Sequence, residues 1–367
     1  MKNLENIYKN KKILITGHSG FKGSWLTIWL NLLGAKIVGI SDKEVSNPNH
    51  FRVSKIKNFI KSEWIDIADS NKTIEAIKRY EPDFIFHLAA QPLVYSSYED
   101  PLNTIKTNSI GTLNILESLR LIKKKIITVF ITSDKVYDNL EWAWGYRETD
   151  KLGGKDPYSG SKAMAELAIK SYTESFFNNK NNNKQIGVAR AGNVIGGGDW
   201  AENRIVPDCV KAWSRNFSVR IRNSHSTRPW QHVFEPLSGY LTLGAHLAKD
   251  KIKNGEAYNF GPPSHQNHSV KLLINEMKKS WNKVLWKDSS QSKKKFLESG
   301  LLKLNCDKSL TELNWKPVLS FEETIKITVD WYKNYYEDKS KSMLKISEKQ
   351  LINYINVANK RGLTWAQ

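Results

Sequence analysis

The chain has 367 residues, 40% of them hydrophobic and 25% charged, a balance that suits a folded protein with a sizeable core and excludes a disordered chain. Its net charge of +19 is mostly lysine scattered among asparagines, with no arginine-rich stripe, RNA-binding signature or zinc-finger spacing. Nucleic acid is therefore not an expected partner, and the excess reads as a solvated lysine-rich surface, whose positive field would still help to gather an anionic small substrate. The chain lacks both a signal-peptide pattern and any run of about 18 apolar residues, so a cytoplasmic protein without membrane insertion is expected. Cys209 and Cys306 have no CxxC or metal-type spacing and read as reduced structural thiols, and no metal site is expected.

In chain order, short β-rich runs at 12–16, 36–40, 59–64, 84–88, 128–132 and 186–190 alternate with helical patterns at 24–33, 70–80, 101–121 and 157–177. Six strands joined by helices predict an α/β, Rossmann-type, doubly wound parallel sheet. The alternation weakens after Gly196, and from Val270 onward the pattern is helical with short extended pieces. The expected division is a dinucleotide-binding domain at 1–192, with a returning segment near 230–260. A smaller α+β substrate domain would take 193–230 and 261–367. The run F-F-N-N-K-N-N-N-K at 176–184 reads as a polar loop.

The first strand runs into G-H-S-G-F-K-G, which places Gly17, Gly20, Phe21, Lys22 and Gly23 at a strand-to-helix turn. Glycines there permit a tight bend and close approach to a pyrophosphate, and the following helix offers unpaired N–H groups. After the second strand the chain reads G-I-S-D-K. Asp42 is the candidate acceptor for ribose hydroxyls, which favours NAD over NADP, although Ser41 holds the usual position and Lys43 softens the discrimination. In W-I-D-I-A-D, Asp66 and Ile67 end the third strand within reach of an adenine edge, while an ordinary surface aspartate remains an equal reading.

The fifth strand, T-V-F-I-T, is followed directly by Ser133, Asp134 and Lys135, a hydroxyl, a carboxylate and an amine. Further on, Y-S-G-S-K sets Tyr158 and Lys162 four residues apart, on one face of a helix. A lysine beside a phenol pulls the phenol down from its usual pKa of about 10, which suits a base that removes an alcohol proton while a hydride leaves. Hydroxyl, tyrosine and lysine together are the set that alcohol–ketone interconversion requires.

Over nearly its whole length the sequence resembles the extended short-chain dehydrogenase/reductase family. The motifs G17-x-x-G-x-x-G23, H-L-A-A-Q at 87–91, T-N-S-I-G-T at 107–112 and Y158-x-x-x-K162 occur in order. The resemblance implies that His87, Leu88, Ala89, Ala90 and Gln91 line the cofactor cleft, with Gln91 toward the substrate, and that Asn108 is a structural relay on a neighbouring helix. Within the family, nucleotide-sugar 4,6-dehydratases carry an acid pair after the strand-end hydroxyl, commonly Thr-Asp-Glu. Here Ser133-Asp134-Lys135 replaces it. Together with G-H-S-G-F-K-G-S-W, D-N-L-E-W-A-W-G-Y-R-E, A-R-A-G-N-V-I-G-G-G-D-W and R-P-W-Q-H-V, this variant is similar to the branch acting on CDP-glucose.

That branch implies loss of water across C5 and C6 of the hexose without net redox change, in deoxysugar synthesis for a surface glycan such as an O-antigen. Tyr158 would take the C4 hydroxyl proton and Asp134 would protonate the C6 leaving group. Lys135 would be either the C5 base or a charged stabiliser of the enolate. Asn193, Arg204, Arg222 and Arg228 are candidate substrate contacts, the arginines as pyrophosphate clamps. Trp200 and Trp230 read as packing residues, and His232 as a structural hydrogen-bonder. The C-terminal helical segment reads as packed or facing a partner. A homodimer or homotetramer built on helices 101–121 and 157–177 follows from the family. A 4-epimerase or 4-ketoreductase would leave Asp134 and Lys135 without a task. A nucleotide sensor or nucleic-acid binder on the same sheet would have no use for a phenolate.

Overall fold

The computed structural model describes residues 2–179, 183–221, 223–263, 266–288 and 301–367. Seven parallel strands form its main sheet: β1 (Lys12–Thr16), β2 (Lys36–Ser41), β3 (Lys61–Trp64), β4 (Phe84–His87), β5 (Ile126–Ile131), β6 (Lys184–Ala191) and β7 (Ala257–Phe260), ordered β3-β2-β1-β4-β5-β6-β7. All six residues of β5 are buried, as expected of a central strand covered on both faces. Successive residues feed opposite layers. Ile13, Ile15, Phe84 and Phe86 join the larger core cluster, while Leu14, Ile40 and Ile85 join the smaller one.

Helices α1 (Phe21–Leu32) and α3 (Phe234–Ala248) supply Trp25, Trp29, Phe234 and Leu241 to the first layer. Helix α2 (Pro157–Tyr172), together with Ser70–Tyr80 and Gly111–Leu121, covers the second. Local chemistry sets the start of α2. The Asp156 side chain accepts the Ser159 N–H at 2.9 Å, and Pro157 fills the first helical position, where no N–H is needed.

The sequence pattern yields six strands and the structure has seven. β7 is only Ala-Tyr-Asn-Phe, too short and mixed to read as a strand, and it forms because the exposed side of β6 offers it a parallel ladder. β3 begins at Lys61 because Ile56–Asn58 is a 3₁₀ turn. The helices expected at 101–121 and 157–177 are continuous but contain π turns at Lys106–Ile110 and Thr173–Phe177. Residues 180–182 of the expected polar loop lie outside the described residues.

Beyond β6, aromatic packing dominates. The Trp200 indole donates to Tyr336 at 2.9 Å and meets Trp331, Tyr332 and Tyr335, and Trp230 donates to the His268 carbonyl at 3.1 Å, so both tryptophans pack. His232 is fully buried and accepts the Phe234 N–H at Nδ1, a structural role. The C-terminal helix α4 (Met343–Lys360) packs inward through Leu351, Tyr354 and Ile355, with Tyr354 edge-on to Trp29. Both cysteines are free thiols. Among the described residues no helix is long and apolar enough to cross a membrane, and no cluster of His, Cys, Asp and Glu could hold a metal ion.

The strand order reverses between β1 and β4. Their C-terminal ends, where ligands bind in open α/β sheets, lie side by side there.

Candidate active site

Gly17 leaves β1 with φ of 77°, and its N–H donates to the Ile40 carbonyl at 2.7 Å. A β-carbon on Gly17 would come within 2.7 Å of the Ala89 nitrogen in the loop after β4. One on Gly23 would collide with the Gly17 carbonyl. The turn therefore closes only with glycine at both places. Helix α1 starts on Gly20 with no capping side chain, so its first N–H groups face the cleft without a protein side chain to satisfy them. These features fit the pyrophosphate of a dinucleotide.

At the end of β2, Ser41 turns inward to His18 Nδ1 at 2.9 Å and to the Ser19 N–H, while Asp42 stands half-exposed just beyond. Asp42 is thus the exposed carboxylate just past the end of β2. Asp66 is exposed and accepts the Ala68 N–H at 2.9 Å. Ile67 is buried beneath Gly111, with its carbonyl held by the Asn114 amide. Leu88, Ala89 and Ala90 border the cleft half-buried, and the Ala89 N–H donates to Thr16 Oγ1 at 3.1 Å. Gln91, the expected substrate contact, closes this stretch. Its amide donates to the Leu93 carbonyl and Thr104 and accepts the Leu93 N–H at 2.6 Å, so it supports its own loop. Asn108 links the Gln91 backbone to Ser161.

Ser133 follows β5 and caps the short 3₁₀ turn Asp134–Val136. Its hydroxyl donates to Asp134 Oδ1 at 2.9 Å and accepts the Lys135 N–H at 3.2 Å. Burial pushes the Asp134 carboxyl up from the usual carboxylate range, against a smaller opposing pull from Lys135, Ser133 and Lys22. Lys135 is half-buried at the same turn.

Burial pushes the Tyr158 phenol up to about 12, with Ser133 and Arg204 pulling it down and Asp134 pushing it up. Burial also brings Lys162 down to about 8, against the upward influence of Glu166, and its ammonium reaches the Ile131 carbonyl at 3.5 Å. The spacing of Tyr158 and Lys162 suggests that the lysine lowers the phenol. In the structure that pull comes from Ser133 and Arg204.

Lys22 and Tyr240 complete the cluster. Lys22, expected at the phosphate turn, points into the reactive group, 3.4 Å from the Tyr240 hydroxyl. Burial, with Arg204 nearby, lowers it to about 8, and Asp134 opposes the shift. Tyr240 arrives on α3, far along the chain, with no local signal for its role. Glu166, four residues beyond Lys162, and Arg190 on β6 form a buried ion pair behind the cluster that spacing alone did not reveal.

On the substrate side, a β-carbon on Gly192 would lie 3.0 Å from Asp134 Oδ2, so glycine lets the chain pass close to the acid. Asn193 is half-buried next to it, its carbonyl accepting from the Gln231 N–H. Arg204 pairs with Asp199 at 2.9 Å and acts electrostatically on Tyr158, which places it beside the reactive cluster, already partnered. Arg228 bonds the Thr227 carbonyl at 2.8 Å. Arg222 lies outside the described residues. A small cleft of about 10 Å³ lies between Gly192, Pro229, Gly261, Pro262, Lys303 and Leu304.

A glycine-built dinucleotide turn at a strand-order switch, facing a Ser–Tyr–Lys set, defines an extended short-chain dehydrogenase/reductase. Residues 14–328 match the family described as GDP-mannose 4,6 dehydratase, and the chain belongs to that family. It is 39% identical over 360 residues to the CDP-glucose 4,6-dehydratase of Salmonella typhimurium, covering 97% of this chain and 99% of that one. It is 25% identical to a dTDP-glucose 4,6-dehydratase of Xanthomonas campestris pv. campestris, over 87% of this chain and 92% of that one. The fold is similar to that of the Bacillus anthracis dTDP-glucose 4,6-dehydratase in complex with NAD, with a TM-score of 0.71 and 21% identity over 90% of this chain and 98% of that one.

Proposed function

We propose that this chain is an NAD-dependent hydro-lyase that converts CDP-glucose to CDP-4-keto-6-deoxyglucose and water. The observation that carries this reading is the carboxylate Asp134, buried beside Tyr158 and accepting a hydrogen bond from Ser133 at 2.9 Å. An epimerase needs no second acid there. Cytidine recognition is supported by the likeness to the Salmonella enzyme.

Gly17, Gly20, Phe21 and Gly23 would hold the NAD pyrophosphate, Asp42 the ribose, and Asp66, Ile67 and Leu88 to Ala90 the rest of the cofactor cleft. When bound, NAD supplies reversible hydride acceptance, from C4 of the sugar and back to C6. Tyr158 takes the O4 proton, and Ser133 and Arg204 offset part of the burial that holds its phenol up. The resulting ketone acidifies C5–H, and Lys135 removes that proton and later returns it to C5. Asp134 protonates O6 as the C6–O bond breaks, so the departing group is water. Tyr158 has then gained the one proton that Asp134 has lost. Ser133, bonded to Asp134 and facing Tyr158, is the link through which the proton passes back and the cycle closes. Asn193, Arg204, Arg222 and Arg228 would orient the nucleotide.

Residues 1–192 with 230–260 form the cofactor half of this enzyme, and 193–230 with 261–367 the sugar-nucleotide half. The protein works in the cytoplasm as a homodimer. Exposed Leu102, Ile110 and Leu121 on one helical stretch, and Met164 and Leu167 on α2, support this pairing. A dimer mass by ultracentrifugation that reverts to monomer in Leu167→Glu is the expected result.

The test of function is incubation with NAD and CDP-, UDP-, GDP- or dTDP-glucose in parallel, followed by alkali-developed absorbance of a 4-keto-6-deoxy sugar. Product from CDP-glucose alone is expected. Product from another nucleotide would overturn the cytidine assignment, and no product from any would overturn the elimination chemistry.

A further inference from the structure

The turn that carries Asp134 and Lys135 is fastened at both ends to one buried ion pair. In front of it, Thr132 Oγ1 donates to Glu166 Oε1 at 2.6 Å. Behind it, the Tyr137 hydroxyl accepts from Arg190 Nη1 at 2.7 Å and donates to Asn259 Oδ1 at 2.8 Å, while the Arg190 guanidinium lies 4.8 Å over the Tyr137 ring. Arg190 closes the circuit through Nε and Nη2 to the Glu166 carboxylate. Glu166 stands on α2 one turn past Lys162 and two past Tyr158, on the same helical face. Arg190, Glu166, Tyr137 and Asn259 are all almost completely buried.

A buried ion pair is poor at adding stability, because desolvation offsets most of its attraction. What it does well is fix geometry, since each partner is costly to leave unpaired. We propose that the Tyr137–Arg190–Glu166 latch is a positioning device for the elimination step. It sets the dehydrating groups, Asp134 and Lys135, at a fixed distance from the oxidising groups, Tyr158 and Lys162. The inference rests on the dehydratase reading above.

The two half-reactions draw on different parts of this circuit. Oxidation at C4 transfers one hydride to the cofactor and one proton to Tyr158, which stands on α2. Elimination removes the C5 proton and the C6 hydroxyl, the latter leaving as water with the Asp134 proton, and these groups ride on the latched turn. Loosening the latch at Tyr137 therefore slows elimination more than oxidation.

The experiment compares the cofactor-loaded wild type with Tyr137→Phe and Tyr146→Phe in a single turnover of CDP-glucose. Tyr146 stacks on Tyr137 at 4.9 Å, but its hydroxyl accepts the Leu140 N–H and makes no bond to Arg190, so it matches the lesion without touching the latch. Expected for Tyr137→Phe are a kcat lower by about 10- to 100-fold, the scale of a misplaced reacting group, and an unchanged KM. The near-ultraviolet absorbance of reduced nicotinamide should build up before product appears. Tyr146→Phe should show no such build-up. A Tyr137→Phe enzyme that slows without that absorbance, or does not slow, overturns the latch. If Tyr137→Phe does not fold, Glu166→Gln, which keeps the acceptor for Thr132 but weakens the hold on Arg190, is read in the same way. A wild type that yields no product from CDP-glucose overturns the functional reading instead, which separates the two failures.

Discussion

In the proposed dehydration, Asp134 is the residue on which the chemistry turns. Its carboxyl is raised by burial, and an acid delivers a proton only below its pKa, so its contribution to turnover is present at low pH and lost as pH rises through the raised value. Asp134→Asn should lower kcat by about 10²- to 10⁴-fold, the range of a general acid, and remove that alkaline limb from the pH–rate profile. Lys135→Met should abolish incorporation of solvent deuterium at C5, and unchanged incorporation would remove Lys135 from the base role. These groups were legible in the sequence because Ser133, Asp134 and Lys135 are covalent neighbours, and because Tyr158 and Lys162 share a helical face. Spacing places Lys22 at the phosphate turn but gives no direction for its side chain, which reaches the Tyr240 hydroxyl. Tyr240 and Arg190 were invisible because tertiary packing alone brings them to the site.

At the scale of elements, the turn from β1 to α1 leaves no room for a side chain. Gly17→Ala would place alanine at φ of 77°, costing about 1–2 kcal/mol before the contact with Ala89 is counted. Calorimetry should show NAD binding weakened well beyond the small loss in melting temperature. A second junction is held by a carboxylate. Glu235, at the start of α3, accepts the N–H groups of Val318 and Leu319 and the Tyr354 hydroxyl, tying the sheet to α4. Burial pushes it up to about 7 from 4.5. The folded state therefore holds a proton that the unfolded chain releases, and the stability it contributes is full below pH 4.5 and lost as pH rises toward 7. The change is about 3 kcal/mol, and Glu235→Gln should flatten the dependence of chemical denaturation over that window. Helix starts marked by Asp-Pro, at 100–101 and 156–157, could be read from the chain. β7 could not, because its four residues become a strand only against β6.

For the molecule as a whole, the charge of +19 acts on a substrate that carries a pyrophosphate. Raising ionic strength from about 0.01 to 0.15 M shortens the screening length from about 30 to 8 Å. Accordingly kcat/KM for CDP-glucose should fall with salt while kcat holds, and a flat kcat/KM would show that the lysine excess serves solubility alone. The parallel sheet was legible from alternating strands and helices. The way the later segments fold back was not, since aromatic packing such as Trp200 against Trp331 and Tyr335 leaves no period in the sequence.

That return of the chain bears on how the protein is made. Until Ala257–Phe260 leaves the ribosome, β6 has an unpaired edge and its flank lacks α3. A long apolar edge of this kind is a template for aggregation. The nascent sheet therefore has to wait for a segment more than 60 residues past the end of β6 before it is finished. A fragment ending at residue 192 should be a client of chaperones rather than a stable nucleotide-binding domain.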